Sequence, residues 1–142
     1  MGSLVRISEA ASLAIHTMAL LARESSEHFT NETIARRLGA SGHHLAKVMP
    51  RLVNAGLVES VRGPLGGFRL GVSAKDVRLL QIYEAVEGSV ADAGCPLGRP
   101  ACRERNCTLG ALMCRLHQQA CDYLASTTVE DLSLELACLR GP

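Results

Sequence analysis

The chain has 142 residues, 47% hydrophobic, 20% charged and 3% aromatic, with no Trp and a formal net charge of +1. That length holds about one domain, or a small domain plus a dimerising element, and a core of Leu, Val, Ala and Ile points to helices. Ser12, His16 and Thr17 interrupt the apolar N-terminal run, which excludes a secretory signal or membrane span and leads us to expect a cytoplasmic protein. Persistent disulfides are rare there, so six cysteines lean toward metal binding or redox chemistry.

Charge is unevenly spread. Residues 1–80 hold ten Lys/Arg and six Asp/Glu, whereas residues 81–142 hold five and eight. The front is therefore +4 and the back −3, a mild pointer to a polyanionic partner for the front.

Residues 5–23, VRISEAASLAIHTMALLAR, place Ile7, Ala11, Ala14, Ile15, Met18, Leu21 and Ala22 at helical spacing, with Ser8 as a start signal. After the polar break ESSEHFT, Thr30 opens a second helix, NETIARRLG, which Gly39 closes. Ser41 caps a third, GHHLAKVMPRLVNAG, ended by Gly56. Two short helices across so tight a turn are a helix-turn-helix. Pro50 inside the third removes a backbone bond, so that helix is expected either to be short or to be re-aimed in its C-terminal half.

The runs Leu57–Val61 and Phe68–Val72 flank RGPLGG and read as a hairpin turned by Pro64 and the Gly66–Gly67 pair. Helix-turn-helix followed by hairpin is a winged helix. Residues 76–88 form another helix, and residues 107–127 an amphipathic one with Leu109, Leu112, Met113, Leu116, Ala120 and Leu124 on its apolar side. A second copy is the simplest partner for that late helix. The tail after it is a short helix or a frayed end. The expected fold is therefore mainly α. Residues 1–75 form a winged helix-turn-helix with a two-stranded wing, and residues 76–142 carry the dimerisation helices and a cysteine loop.

The third helix would enter the major groove by its N-terminal residues. Ser41, His43, His44, Lys47 and Arg51 are the candidates there, with Lys47 and Arg51 suited to phosphate or guanine and the histidines to acceptors. On the wing, Arg62 and Arg69 could grip phosphate or enter a minor groove, and Gly63, Gly66 and Gly67 allow close backbone approach. The bland alternative is a solvated helix face beside an ordinary tight hairpin.

The runs LAKVMPRLVNAGLVESVRGPLGGFRL and LLQIYEAVEG, followed by three spaced cysteines, resemble the Rrf2 family of bacterial transcription regulators. So do VRISEAASLAIHTMALLA at the front and TTVEDL near the end, and the resemblance spans nearly the whole chain. It implies a homodimer of winged helices that binds palindromic double-stranded DNA, with a long C-terminal helix crossing between subunits and repression as the usual outcome. It also implies an iron–sulfur cluster held by three loop cysteines and a fourth ligand from elsewhere in the dimer.

The loop reads GCPLGRPACRERNC over residues 94–107, spacing Cys95, Cys102 and Cys107 as C-x6-C-x4-C. Soft thiolates suit iron in such clusters, two-iron or four-iron. Arg99, Arg103 and Arg105 would offset an anionic centre. In some members the fourth ligand lies on the first helix of the other subunit. Ser12 stands at that place, where those members have an acidic residue, and His16, one turn on, is the better iron ligand. Cys107, Cys114 and Cys121 repeat every seven residues, as in a helix–helix seam, and read most simply as small buried residues. Alternatively Cys114 could replace a loop cysteine or supply the fourth ligand. Cys138 reads as incidental.

Two other readings stay open: a DNA-binding regulator that uses thiols or zinc as its switch, and a winged helix that binds only protein. An enzyme is disfavoured, because no nucleophile–base set, phosphate loop or carboxylate pair converges, and neither a membrane nor a small-molecule substrate is expected.

Overall fold

The computed structural model describes residues 5–90 and 107–136; Cys95, Cys102 and Cys138 lie outside the described residues. Helix α1 spans Glu9–Arg23. It starts where the sequence signals it, because Ser8 Oγ accepts the Ala11 N–H at 3.0 Å and fixes the cap there. Val5 and Ile7 are left in front of the helix and exposed.

Helix α2, Asn31–Leu38, begins at Thr30, whose Oγ1 accepts the Thr33 N–H at 3.2 Å. It ends at Gly39 with φ +62°, a left-handed position that suits glycine. Helix α3, Gly42–Asn54, starts from Ser41 and runs through Pro50 without ending. Pro50 is exposed, so the bond it denies the Ala46 carbonyl lies on the wet side, where water can replace it. Strands β1, Val58–Val61, and β2, Gly67–Leu70, pair antiparallel, Val58 with Leu70 and Val61 with Gly67.

A short 3₁₀ turn at Ala74–Asp76 leads into α4, Leu79–Glu87, which is shorter than the sequence pattern suggests. Helix α5 covers Thr108–Ser126 and helix α6 Val129–Glu135, so the tail opens as a capped helix rather than a frayed end. A reciprocal cap makes α6. The Asp131 N–H donates to Thr128 Oγ1 at 3.0 Å, and the Thr128 N–H donates to Asp131 Oδ2 at 2.9 Å. The backbone and hydroxyl bonds from Thr128 hold the Asp131 carboxyl below its usual range. That contribution is present above the ordinary carboxylate pKa and is lost as pH falls through the lowered folded-state value.

One buried cluster draws on α1, α2, α3, the wing, α4 and Val129 of α6. Helix α1 is its axis: Ala11, Ala14, Met18, Ala19 and Leu20 are fully buried, with α3, α4, α6 and β2 packed around them. Helix α6 is stitched beside α4 by the Leu79 N–H to the Thr127 carbonyl and the Val129 N–H to the Val77 carbonyl, each at 3.0 Å. Truncating Met18 to Ala would lose on the order of 3 kcal/mol, from lost transfer energy and the cavity left behind.

Thr17 lies fully buried in α1 with an Oγ1 that finds no partner among the described residues. A buried hydroxyl without a hydrogen bond costs about 1–3 kcal/mol, and valine has nearly its shape. Thr17→Val is therefore expected to stabilise the fold by about 1 kcal/mol, read as a higher denaturation midpoint in urea at unchanged slope. A lower midpoint would show that the hydroxyl is satisfied in solution.

Candidate nucleic-acid interface and cysteine site

Helix α3 is amphipathic by sequence. Leu45, Val48, Met49 and Leu52 turn into the core, leaving His43, His44, Lys47 and Arg51 outside. Ser41 Oγ accepts the His44 N–H at 3.4 Å, and the Ala40 N–H bonds the Ala35 carbonyl at 2.9 Å, so the α2–α3 turn is held from both sides. Ser41 thus acts first as a cap.

The exposed groups differ in what they touch. His44 Nδ1 lies 2.8 Å from Glu9 Oε1 at the start of α1. Arg51 donates to the Val86 carbonyl in the last turn of α4, where a cation suits the helix C-terminus. Neighbouring Glu87 accepts from Ser8 Oγ. The front of α1, the end of α4 and the outer face of α3 are laced together here, around a hollow of about 260 Å³ lined by Glu9, His44, Lys47 and Arg51. Lys47 has no partner among the described residues. Of the helix candidates, Lys47 and His43 are the ones whose polar ends have no partner among the described residues.

On the wing, Arg69 is committed across the ladder to Glu59, 2.8 Å away, an exposed pair of small energetic weight. Arg62, at the start of the turn, is exposed and has no partner among the described residues. The glycines do closer work within the chain. A Cβ on Gly66 would lie 2.2 Å from the Val61 carbonyl oxygen. One on Gly67, at φ +151°, would lie 2.7 Å from that of Phe29. Phe29 and Phe68 exchange backbone bonds of 3.0 and 2.8 Å, so the wing is bolted to the segment that enters α2.

Ser12 and His16 share one side of α1, half-buried, in a groove of about 540 Å³ with Arg6, Glu9, Arg37 and Gly39. His16 Nδ1 sits 2.7 Å from the Ser12 carbonyl. A carbonyl only accepts, so Nδ1 carries the hydrogen, which leaves Nε2 as the nitrogen that could serve as a metal donor. Arg37 is tied to Glu24, whose hydrogen bond raises the guanidinium pKa above its ordinary value.

Of the loop cysteines, Cys107 is described. It caps α5, its Sγ accepting the Gly110 N–H at 3.3 Å, and is half-exposed. Cys121 Sγ lies 3.5 Å from His117 Nε2, and Cys114 is exposed. None of the α5 residues is buried in the single chain, so the seam expected for Cys107, Cys114 and Cys121 is not formed within one copy. Among the described residues no three His, Cys, Asp or Glu side chains converge on a point that could hold a metal ion. No helix among them is long and apolar enough to cross a membrane.

Sequence patterns missed the partners Glu9, Glu59, Val86 and Phe29, since each contact joins residues remote in the chain or across the ladder. Only Glu59 opposite Arg69 had a usable signal, as a charge pair at matched hairpin positions.

The family Rrf2, described as an iron-dependent transcriptional regulator, matches residues 7–135. The HTH-type transcriptional regulator IscR of Pectobacterium carotovorum is 36% identical over 100 residues, 70% of this chain and 60% of its own length. The chain thus spans about half to three-fifths of the curated relatives it matches. Among solved structures, CymR, the global cysteine regulator of B. subtilis, is 27% identical with a TM-score of 0.72, covering 94% of this chain and 99% of that one. The oxidized form of Staphylococcus aureus CymR is 26% identical with a TM-score of 0.72, covering 93% and 98%. T. potens IscR, 23% identical with a TM-score of 0.74 over 97% and 95%, shares the fold.

Gly67→Ala tests the bolt between wing and α2. The added methyl meets the Phe29 carbonyl in a backbone region that L-residues avoid, and such conflicts cost about 1–3 kcal/mol. The variant is expected to unfold at lower urea and to lose hydrogen-exchange protection at the Phe29 and Phe68 amides. Unchanged protection there would show that the wing is held by other contacts.

Proposed function

The chain belongs to the Rrf2 family of transcriptional regulators, and from that premise we propose that it binds palindromic double-stranded DNA as a cytoplasmic homodimer, usually to repress, under the control of an iron–sulfur cluster. One observation carries the DNA reading: α3 buries one face in the core and turns Lys47 and His43 outward beside a rigid wing bearing Arg62. Such a helix fits the major groove, with the wing reaching the adjacent groove or its phosphates. Ser41, His44, Arg51, Gly66, Gly67 and Arg69 then position the surface: Ser41 caps α3, His44 and Arg51 brace it, and the glycines and Arg69 set the wing.

The second copy is supplied along α5, whose Leu109, Leu112 and Tyr123 are exposed in the single chain. Pairing that helix buries apolar surface at about 25 cal/mol per Å² and fixes the distance between two α3 helices, which half-site spacing reads.

The donor chemistry fits a cluster. Cys95, Cys102 and Cys107 would hold it, Cys107 with a half-exposed Sγ at the head of α5, and His16 would complete it through Nε2; Ser12, a poorer donor, is the other choice. When bound, the cluster supplies a tie that oxidation, nitric oxide or iron shortage undoes. The chain's own residues carry the consequence. The loop begins beyond α4, whose last turn grips Arg51 of α3 and Ser8, the cap of α1. A change in the course of the loop is thereby felt at the DNA-facing helix and at the α5 seam together.

A second reading keeps the DNA surface and makes the cysteines a thiol switch or zinc site. It draws on the contact between Cys121 and His117 and on the existence of an oxidized form of a structural relative.

Protein purified without oxygen is expected to hold iron and acid-labile sulfide in near-equal amounts, with visible absorption that air removes. Cys102→Ala and His16→Ala should each lower both. Colourless, sulfide-free protein from iron-replete cells would favour the thiol or zinc reading. Independently, Lys47→Ala should weaken binding to any duplex and reduce the slope of log affinity against log salt by about 1 per copy. An unchanged slope would remove Lys47 from the interface.

A further inference from the structure

The residue at the tip of the wing is Leu65, 89% exposed, the most exposed large apolar side chain among the described residues. A single exposed leucine is ordinary on a mobile loop. This one is held. It is the third residue of the turn Gly63–Pro64–Leu65–Gly66, closed by the Gly66 N–H to the Gly63 carbonyl at 2.9 Å. Pro64 fixes φ just before it. Just after it, Gly66 packs against the Val61 carbonyl and Gly67 against Phe29, both too closely for any side chain. The Phe29–Phe68 bridge then ties the hairpin base to the helix-turn-helix. An apolar group is thus presented to solvent on a stiff support, beside Arg62, a cation without a partner among the described residues.

We propose that Leu65 is a sequence-selecting contact, an apolar wedge that the wing inserts into the DNA minor groove while Arg62 holds the flanking phosphates. This rests on the DNA-binding reading above and assigns to the wing a role beyond phosphate grip. Apolar wedges act by partly unstacking a base step and bending the duplex. Pyrimidine–purine steps open most readily, so the wedge selects them without any hydrogen bond to a base edge. The wing then reads deformability at the outer positions of each half-site while α3 reads base edges at the inner ones.

The test is in vitro selection from a randomised duplex pool with the wild-type protein, Leu65→Ser and Leu65→Met in parallel. The selected duplex is then titrated with each protein and its bend measured by end-to-end energy transfer. Because Leu65 is on the surface, all three should melt alike. The wild type and Leu65→Met are expected to enrich pyrimidine–purine steps at fixed positions outside the α3 contacts. Leu65→Ser is expected to keep the inner positions, lose the outer preference, bend the duplex less and bind about tenfold more weakly, the scale of one lost base-pair preference. Identical profiles, bends and affinities for Leu65→Ser and wild type would overturn the proposal with DNA binding intact, and would assign the tip to a protein partner instead. No enrichment by the wild type, with no binding to any duplex, would overturn the DNA-binding reading and the wedge with it.

Discussion

The structure depends on the burial of α1 on nearly every side. Ala11, Ala14 and Ala19 let neighbouring elements approach closely, while Met18, Leu20 and Leu21 fill the space between them. Interiors packed this densely transmit displacement rather than absorb it. Helices α3, α4 and α6 are therefore indexed against one rod, and the orientation of the outward face of α3 follows from which alanines and leucines of α1 it meets. The wing is indexed twice, by β1 following directly from α3 and by the Phe68 bridge to Phe29. Helix and wing consequently present one rigid surface, as groove recognition needs.

The polar contacts at the front of α1 give that rigid unit an input. Ser8 reaches Glu87, Arg51 reaches the Val86 carbonyl and His44 reaches Glu9. All three are near the surface, so each adds little stability. Their value is positional: they join the last turn of α4, where the chain departs toward the cysteines, to the helix that faces outward. Helix α5 resumes at Cys107, which serves at once as the last loop cysteine and as the helix cap. The described elements on either side of the cysteine segment are thus the end of α4 that braces α3 and the head of α5, a helix with no buried residue in the single chain. Under the proposed function, a chemical event on its thiols would have two short routes to the geometry of paired winged helices.

Features of the chain visible in its sequence are those decided within four or five residues. Ser8, Thr30 and Ser41 cap helices because a short hydroxyl beside an apolar-periodic run has few competing uses, and Gly39 and Gly56 end them because both adopt positive φ. The hairpin was readable from RGPLGG for the same local reason. Pro50 was only half readable: its cost depends on which side of the helix it occupies, and that is a tertiary fact. The same holds for the candidate site. Arg51 and Arg69 look identical to Lys47 and Arg62 in sequence, yet Val86 and Glu59 occupy the first two. His16 was legible as a donor, but the Ser12 carbonyl that sets its tautomer follows only once α1 is known to be helical there.

Internal partners reduce the charge that the front of the chain can offer. The front of the chain carries a formal excess of cations, but Arg23, Arg37, Arg51, Arg69 and Arg78 each bond an oxygen of the protein itself. On the surface formed by α3 and the wing, Lys47 and Arg62 are the cations without a partner among the described residues. Each phosphate neutralised contributes roughly 0.9 to the salt slope of duplex binding, so one copy with so few contacts would hold DNA weakly. In the homodimer we propose, two copies would add their contacts only when both reach their half-sites at once. In the proposed homodimer, affinity would then depend on the distance between two α3 helices more than on the charge on either. That distance would follow from α5 and from the brace at the end of α4, the two elements between which Cys95 and Cys102 fall in the sequence.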